Sequence, residues 1–414
     1  MWKPFLLFCF LQALVLFPDS LVRGESVMID GVEHVRNSNT PRDGLENIHL
    51  KELWRAGGED DDTFFGLVPR VAADPQGNVY ILDSQTCHVF VYSSEGELVR
   101  TLFWEGEGPG EVRRPRDMVL MGDGRVGLIQ EVPGAVSFVQ ADGTPAGRIN
   151  LNEVEGGVMN LTSCNAAGDV LLLSGNHDKE GRKPEIRLRW NVLERFSPEG
   201  QLMARYAENH AEYDFADFQF RELDHLPVFW FTFDATEDGR VFTSSSHRDY
   251  EVSVYAPDGS LERVIEREYK PLNRTKAEYR RLELMILSAF NGAPFQPKLE
   301  IEQQESALAY FHRAIQVHTD GRLWVLSGRG VRPGKPGVMA TFDVFEQGGL
   351  FVRQVALHAP HDGRDVGIFL AGPDRILVVK GYMDSLAAQF GNGTALAEEG
   401  YEPQPPEVIC YVVE

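Results

Sequence analysis

The chain has 414 residues, 62 acidic against 40 basic side chains, and a formal net charge of −22. With 43% hydrophobic and 25% charged residues it has the composition of a globular protein, which excludes a disordered tail, a collagen-like chain and a multispanning membrane protein. The acidic balance also argues against a nucleic-acid partner, because sequence-independent binding to phosphates needs a cationic surface.

The first element is a targeting segment. Lys3 precedes Phe5–Phe17, thirteen residues in which only Gln12 is polar, and Pro18 ends the run. Thirteen residues are too few to span a bilayer, which takes about 20. Val22-Arg23-Gly24 places small residues where a signal peptidase reads them. Residues 1–24 are therefore expected to be a cleaved signal peptide, and 25–414 a secreted or periplasmic domain with no membrane span. Three cysteines remain beyond the signal, Cys87, Cys164 and Cys410. Three is too few for a disulfide scaffold, so they are expected as small buried side chains.

The rest of the chain is an imperfect repeat. Val71–Asp83 holds two short apolar runs around Asp74-Pro-Gln-Gly77, and His88–Tyr92 and Leu98–Leu102 flank Ser94-Glu-Gly96. This reads as four strands, A to D, with tight turns between A and B and between C and D. The A–B turn returns at Gly124, Gly168, Gly239, Gly321 and Gly372, and the C–D turn at Gly143, Gly200, Gly259 and Gly349. Strands apolar on both faces, such as Val79–Leu82, suit sheets covered on both sides. The sixth unit stops at strand C, Val408–Val413, and Ile48–Trp54 is expected to supply its missing strand. The predicted fold is thus all-β: a six-bladed β-propeller of four-stranded antiparallel blades, closed by pairing the N-terminal strand with the C-terminal blade.

Phe65–Asp83 resembles the NHL-repeat pattern, and Trp104–Arg116 resembles that family's glycine-rich linker ahead of strand A. Ile29-Asp-Gly-Val32, with Asn37 and Pro41, is similar to the mature start of secreted bacterial six-bladed NHL-like propellers. The resemblance implies the fold and little chemistry, since such propellers host binding proteins and several enzymes.

All long segments fall in B–C loops or D-to-A links, on one rim: 176–189, 327–338, 381–406, 208–227 and 270–311. Long loops on a rigid scaffold are where binding residues sit. One helical insertion is expected in 270–311, where Thr275-Lys-Ala-Glu278 forms a capping box ahead of an apolar stripe of Tyr279, Leu282, Met285, Ile286, Ala289 and Phe290. It would be a lid or a helix packed on a blade edge. Tyr213, Phe215, Phe218 and Phe220 would floor a pocket or pack their loop down.

The strand A starts bring Arg70, Arg116 and Arg313 to the channel mouth, and the strand B ends bring Asp83, Glu131, His247 and Lys380. These seven are the candidate ligand-binding residues. Either the cations bind a carboxylate, sulfate or uronate-like anion, or each pairs with a carboxylate such as Asp117 or Asp83 and holds the blades in register. No metal-ligand spacing is present, so no metal ligand is assigned. A calcium or zinc ion enters only through the resemblance, because some related lyases hold a metal with His and some lactonases hold calcium. The expected function is binding of a small anionic ligand, or of a protein or glycan partner, on the loop-rich rim by a monomer. The alternative is a metal-dependent lyase or lactone hydrolase in the channel, with catalytic residues unassigned.

Overall fold

The computed structural model describes residues 24–59, 63–151, 159–332, 334–391 and 405–414. The expected signal peptide lies outside them except for Gly24.

Strands dominate and pair in sets of four. The first sheet is Arg70–Ala73, Val79–Asp83, His88–Tyr92 and Leu98–Leu102. The second runs from Pro115–Leu120 to Pro145–Asn150, and the third from Met159–Ala167 to Leu202–Asp214. The fourth runs from Phe233–Ala235 to Leu261–Arg267, and the fifth from Ile315–Val317 to Phe351–His358. Gly367–Ala371, Arg375–Lys380 and Glu407–Val413 form three strands of the sixth. Each repeated A–B and C–D glycine, from Gly77 to Gly372, has a positive φ, which is why glycine recurs there.

Three strands precede these sets: β1 (Glu25–Ile29), β2 (Val32–Asn37) and β3 (Leu45–Gly57). β2 adds parallel to the last strand of the fourth sheet, with His34 opposite Val264. β3 does two jobs. Its first half lies parallel to the last strand of the fifth sheet, with Ile48 opposite Leu357. Its second half pairs antiparallel with Glu407–Val413, from Leu50 opposite Val413 to Gly57 opposite Glu407. The Ile48–Trp54 run thus meets the final strand, as its sequence implied.

The second strand of each set is buried on both faces, as in Val79–Asp83 and Val126–Gln130. Neighbouring sheets pack face to face through these residues. Leu82, Val89 and Val91 of the first sheet meet Met118, Leu128 and Val139 of the second. Ile129 and Phe138 in turn meet Leu171, Leu173 and Phe196. Cys87, Cys164 and Cys410 are buried free thiols within this packing.

Two expectations need correction. Residues 176–189 are not a loop: Val170–Glu180 and Ile186–Phe196 continue as one long hairpin. Cross-strand pairs sustain it, with Lys179 4.4 Å from the Trp190 ring centroid and Arg189 joined to Asp178 at 2.6 Å. Nor is there a single helical insertion. Beside α1 (Glu222–His225) and α2 (Lys276–Ala289) there is α3 (Tyr382–Phe390). The α3 sequence lacks a side-chain cap at Gly381, so its start signal is missing, yet Tyr382, Met383 and Leu386 fall on one buried face. α2 begins as read, with Thr275 Oγ1 accepting from the Glu278 amide at 3.2 Å and Glu278 Oε2 from the Thr275 amide at 2.7 Å. α2 and α3 pack on each other. Among the described residues no helix is long and apolar enough to cross a membrane.

Candidate functional site

The first strands of five sets, the first, third, fourth, fifth and sixth, line a polar cavity of about 180 Å³. Short polar side chains hold these strands together by reaching from one to the next. Asp117 accepts from the Cys164 amide at 2.8 Å, and Asn165 donates to Asp234 at 2.6 Å. Asp234 accepts from the Val317 amide at 2.7 Å. Gln316 mimics a strand edge, donating to the Ile368 carbonyl and accepting from the Leu370 amide, both at 2.8 Å. These side chains tie neighbouring inner strands together edge to edge.

Two predicted site residues meet there, Arg70 and Arg313. Arg313, 5% exposed and in the left-handed conformation (φ 49°), joins Asp117. Burial works against its charge, but the Asp117 carboxylate outweighs it and keeps the guanidinium pKa above its ordinary value. Arg70 is placed differently. Its Nε lies 3.9 Å from Asp117 and its guanidinium 5.8 Å from the Phe369 ring centroid. Among the described residues it donates no hydrogen bond, and its Nε is buried without a partner. Burial, and next the charge of Arg313, push its pKa down. Asp117 is shared, since it accepts from the Met118 and Cys164 amides as well as from Arg313. Asp234 is occupied too, with the Ala235 and Val317 amides and Asn165. Burial still raises its pKa against those donors.

The structure does not bring the other five to this cavity. Arg116 donates to Glu131 at 3.1 Å and to the Gln389 carbonyl at 2.6 Å, so two predicted residues pair with each other and tie α3 down. Asp83 is fully buried and accepts from the amides of Gly66, Leu67 and Gln85, all at 3.0 Å. Lys380 is paired with Glu407 at 2.5 Å. His247 Nε2 meets the Leu226 carbonyl at 2.8 Å, and burial lowers its pKa. α3 stands over the loop-rich end of the inner strands. Ser385 accepts from the Val68 amide, Tyr382 donates to the Phe311 carbonyl, and Phe390 packs on Phe231 and Phe311. The cavity instead reaches Ala73, Val317 and Leu370, next to the short A–B turns.

Asp117 was named from the sequence only as a carboxylate that an arginine would pair with, as it does with Arg313, and Asp234 was not singled out; a single carboxylate in a strand otherwise apolar, as in Phe233–Ala235, was the available signal. Tyr213, Phe218 and Phe220 pack around His225 and against Phe290, so they fasten the 208–227 link to α2. Among the described residues no three His, Cys, Asp or Glu side chains form a metal-binding group.

No family model matches this chain, and no curated protein matches it. Solved structures similar to it include a putative exported protein from Bacteroides fragilis, at 11% identity, covering 89% of this chain and 99% of that one, with a TM-score of 0.47. A DUF4221 family member from Bacteroides vulgatus is similar at 9% identity, 89% and 98% coverage and a TM-score of 0.46. Virginiamycin B lyase from Staphylococcus aureus is similar at 8% identity, 88% and 99% coverage and a TM-score of 0.40. At these scores nothing is transferred from them to this chain.

Proposed function

We propose that this chain is an exported six-bladed β-propeller that binds a small anion between its innermost strands, with Arg70 and Arg313 as the binding cations. The six four-stranded sets, the contacts between successive first strands and the pairing of β3 with Glu407–Val413 support the six-bladed reading. The signal-like residues 1–24 support export.

The observation that carries the binding reading is Arg70: a side chain 13% exposed, without a hydrogen bond among the described residues, beside a polar cavity. An arginine removed from water strongly favours a partner, and a carboxylate, sulfate or phosphate oxygen supplies one. The surface charge of −22 repels anions at long range, but inside the cavity, with little water, the two cations dominate locally. Arg313 is already anchored and fixes the geometry. Arg70 has free donors and makes the new bonds.

The test is thermal unfolding at low, matched ionic strength with sulfate, phosphate or acetate against chloride. Saturable stabilisation of the wild type, reaching about 2.7 kcal/mol at a hundredfold excess over Kd, is expected, and it is expected to vanish in Arg70→Gln. Equal stabilisation of wild type and Arg70→Gln would sink the reading.

A further inference from the structure

A second cavity lies on the loop-rich rim, and its chemistry is opposite. It has a volume of about 140 Å³ and is roofed by α2. Leu282 and Met285 of α2, Met383 of α3, and Leu308, Phe311 and Val331 make its apolar walls. None of its residues is among the seven candidate ligand-binding residues, although Leu282 and Met285 belong to the apolar stripe expected of the helical insertion.

Four arginines also line it, which at first reads as another anion site. Their partners exclude that. Arg274 is held by Glu222 at 2.6 Å and Arg281 by Asp365 at 2.6 Å. Arg364 is held by Asp362 at 2.6 Å, and Arg332 lies 2.9 Å from both Glu278 and Glu305. Every guanidinium has a carboxylate, so an anion entering would displace one for no gain in charge pairing. The cationic count is balanced, and the walls are mainly hydrocarbon.

What is unmet here is neutral hydrogen-bonding capacity. Ser306, Tyr310 and His312 line the cavity, and among the described residues Ser306 Oγ, Tyr310 Oη (with the Glu222 charge near it) and His312 Nε2 are buried polar atoms without a hydrogen-bond partner; Glu305 Oε2, on the same wall, also lacks a hydrogen bond, but its charge is met by Arg332 at 2.9 Å. Buried polar atoms without partners are uncommon, and each points to strain, an unseen water or a ligand. Three around one cavity favour a ligand. His312 is uncharged at neutral pH, since burial lowers its pKa to about 4, so it presents a dipole and not a cation. The volume sets the size: an apolar cavity of about 150 Å³ admits benzene.

From the paired arginines, the apolar walls and the three unpartnered polar atoms, we propose that the cavity beneath α2 is a binding site for a small uncharged molecule, one ring in size and carrying a hydroxyl or N–H group. It is separate from the anion site. Its contents do not depend on Arg70.

The probes are phenol and aniline as neutral single-ring compounds and benzoate as the anionic comparator, followed by saturation-transfer NMR on the full chain at neutral pH. Saturable binding of phenol or aniline, at least tenfold tighter than benzoate, is expected. Met285→Trp fills the cavity and is expected to weaken that binding at least tenfold. Leu282→Phe, a smaller change on the same wall, is expected to weaken it in part and serves if Met285→Trp fails to fold. Absence of saturable phenol and aniline binding, benzoate binding equal to phenol, or neutral binding unchanged in a folded wall variant would each overturn the proposal. Arg70→Gln distinguishes the two sites, since loss of sulfate stabilisation with phenol binding retained is the pattern expected of independent sites.

Discussion

The two cavities are built from the same residue types and differ in how those residues are satisfied. Between the inner strands, two arginines share one carboxylate, and that carboxylate is also committed to backbone amides. Beneath α2, four arginines each have a carboxylate, and apart from Glu305 Oε2, whose charge Arg332 meets, the atoms without a hydrogen bond are neutral. Counting cations would give both the same ligand. Counting hydrogen-bond partners separates them, because what a site binds is set by the capacity left over after folding.

The sharpest way to break this comparison is to remove the two inner arginines one at a time. Arg313→Leu leaves Asp117 buried without its cation, and urea unfolding is expected to show a loss of about 3–5 kcal/mol. Arg70→Leu removes no hydrogen bond, and its expected loss is less than about 1 kcal/mol. Similar losses for both would mean that Arg70 is as structurally committed as Arg313.

The rim cavity carries a pH signature. His312 has a folded pKa of about 4, below its ordinary 6.5, because burial disfavours the charged ring. Arg281 opposes that charge further, while Asp362, Asp365 and the Arg364 backbone favour it. Between pH 6.5 and 4 the unfolded chain binds the proton and the folded one does not, so stability falls as pH falls through this window. The expected contribution is up to about 3 kcal/mol at its acid end. Stability measured against pH is expected to flatten by that amount in His312→Leu, and an unchanged slope would remove His312 from the account.

A smaller effect separates roof from floor. Thr275→Ala removes the α2 capping bond and is expected to cost about 1 kcal/mol. It should weaken phenol binding beneath α2 and leave sulfate stabilisation at Arg70 alone, as titrations of each probe would show. The smallest effect belongs to Lys298→Ala, whose partner Asp217 is as exposed as itself, at 72% against 69%. A change within about 0.5 kcal/mol is expected in thermal unfolding.

The contrast also explains what could be read in the sequence. Turn glycines and short apolar runs are local signals, so the four-strand sets, the α2 cap and the meeting of Ile48–Trp54 with the last strand were legible. The hairpin through 176–189 was not, because its stability comes from cross-strand pairs such as Asp178 with Arg189 that a linear pattern does not show. At the cavity, the strand starts bring Arg70 and Arg313 together near the A–B turns and not at the loop-rich mouth, and the sequence carried no sign that Arg116 would meet Glu131 or that Lys380 would meet Glu407. Which cation keeps free donors depends on contacts between sheets. Those contacts join residues as distant as Arg313 and Asp117.

β3 imposes an order on the making of this protein. Its two halves wait for strands that end the fifth and sixth sheets, and the second partner, Glu407–Val413, is synthesised about 350 residues after β3 itself. At roughly 5–20 residues per second, that is a delay on the order of tens of seconds. Until Glu407–Val413 is made, Leu50–Gly57 lacks the strand it pairs with in the fold, and its open amides and carbonyls are a template for another extended chain. The nascent chain is therefore most exposed to mispairing at its start. A chaperone or export factor that holds β3 until residue 413 has emerged would protect the chain through that delay.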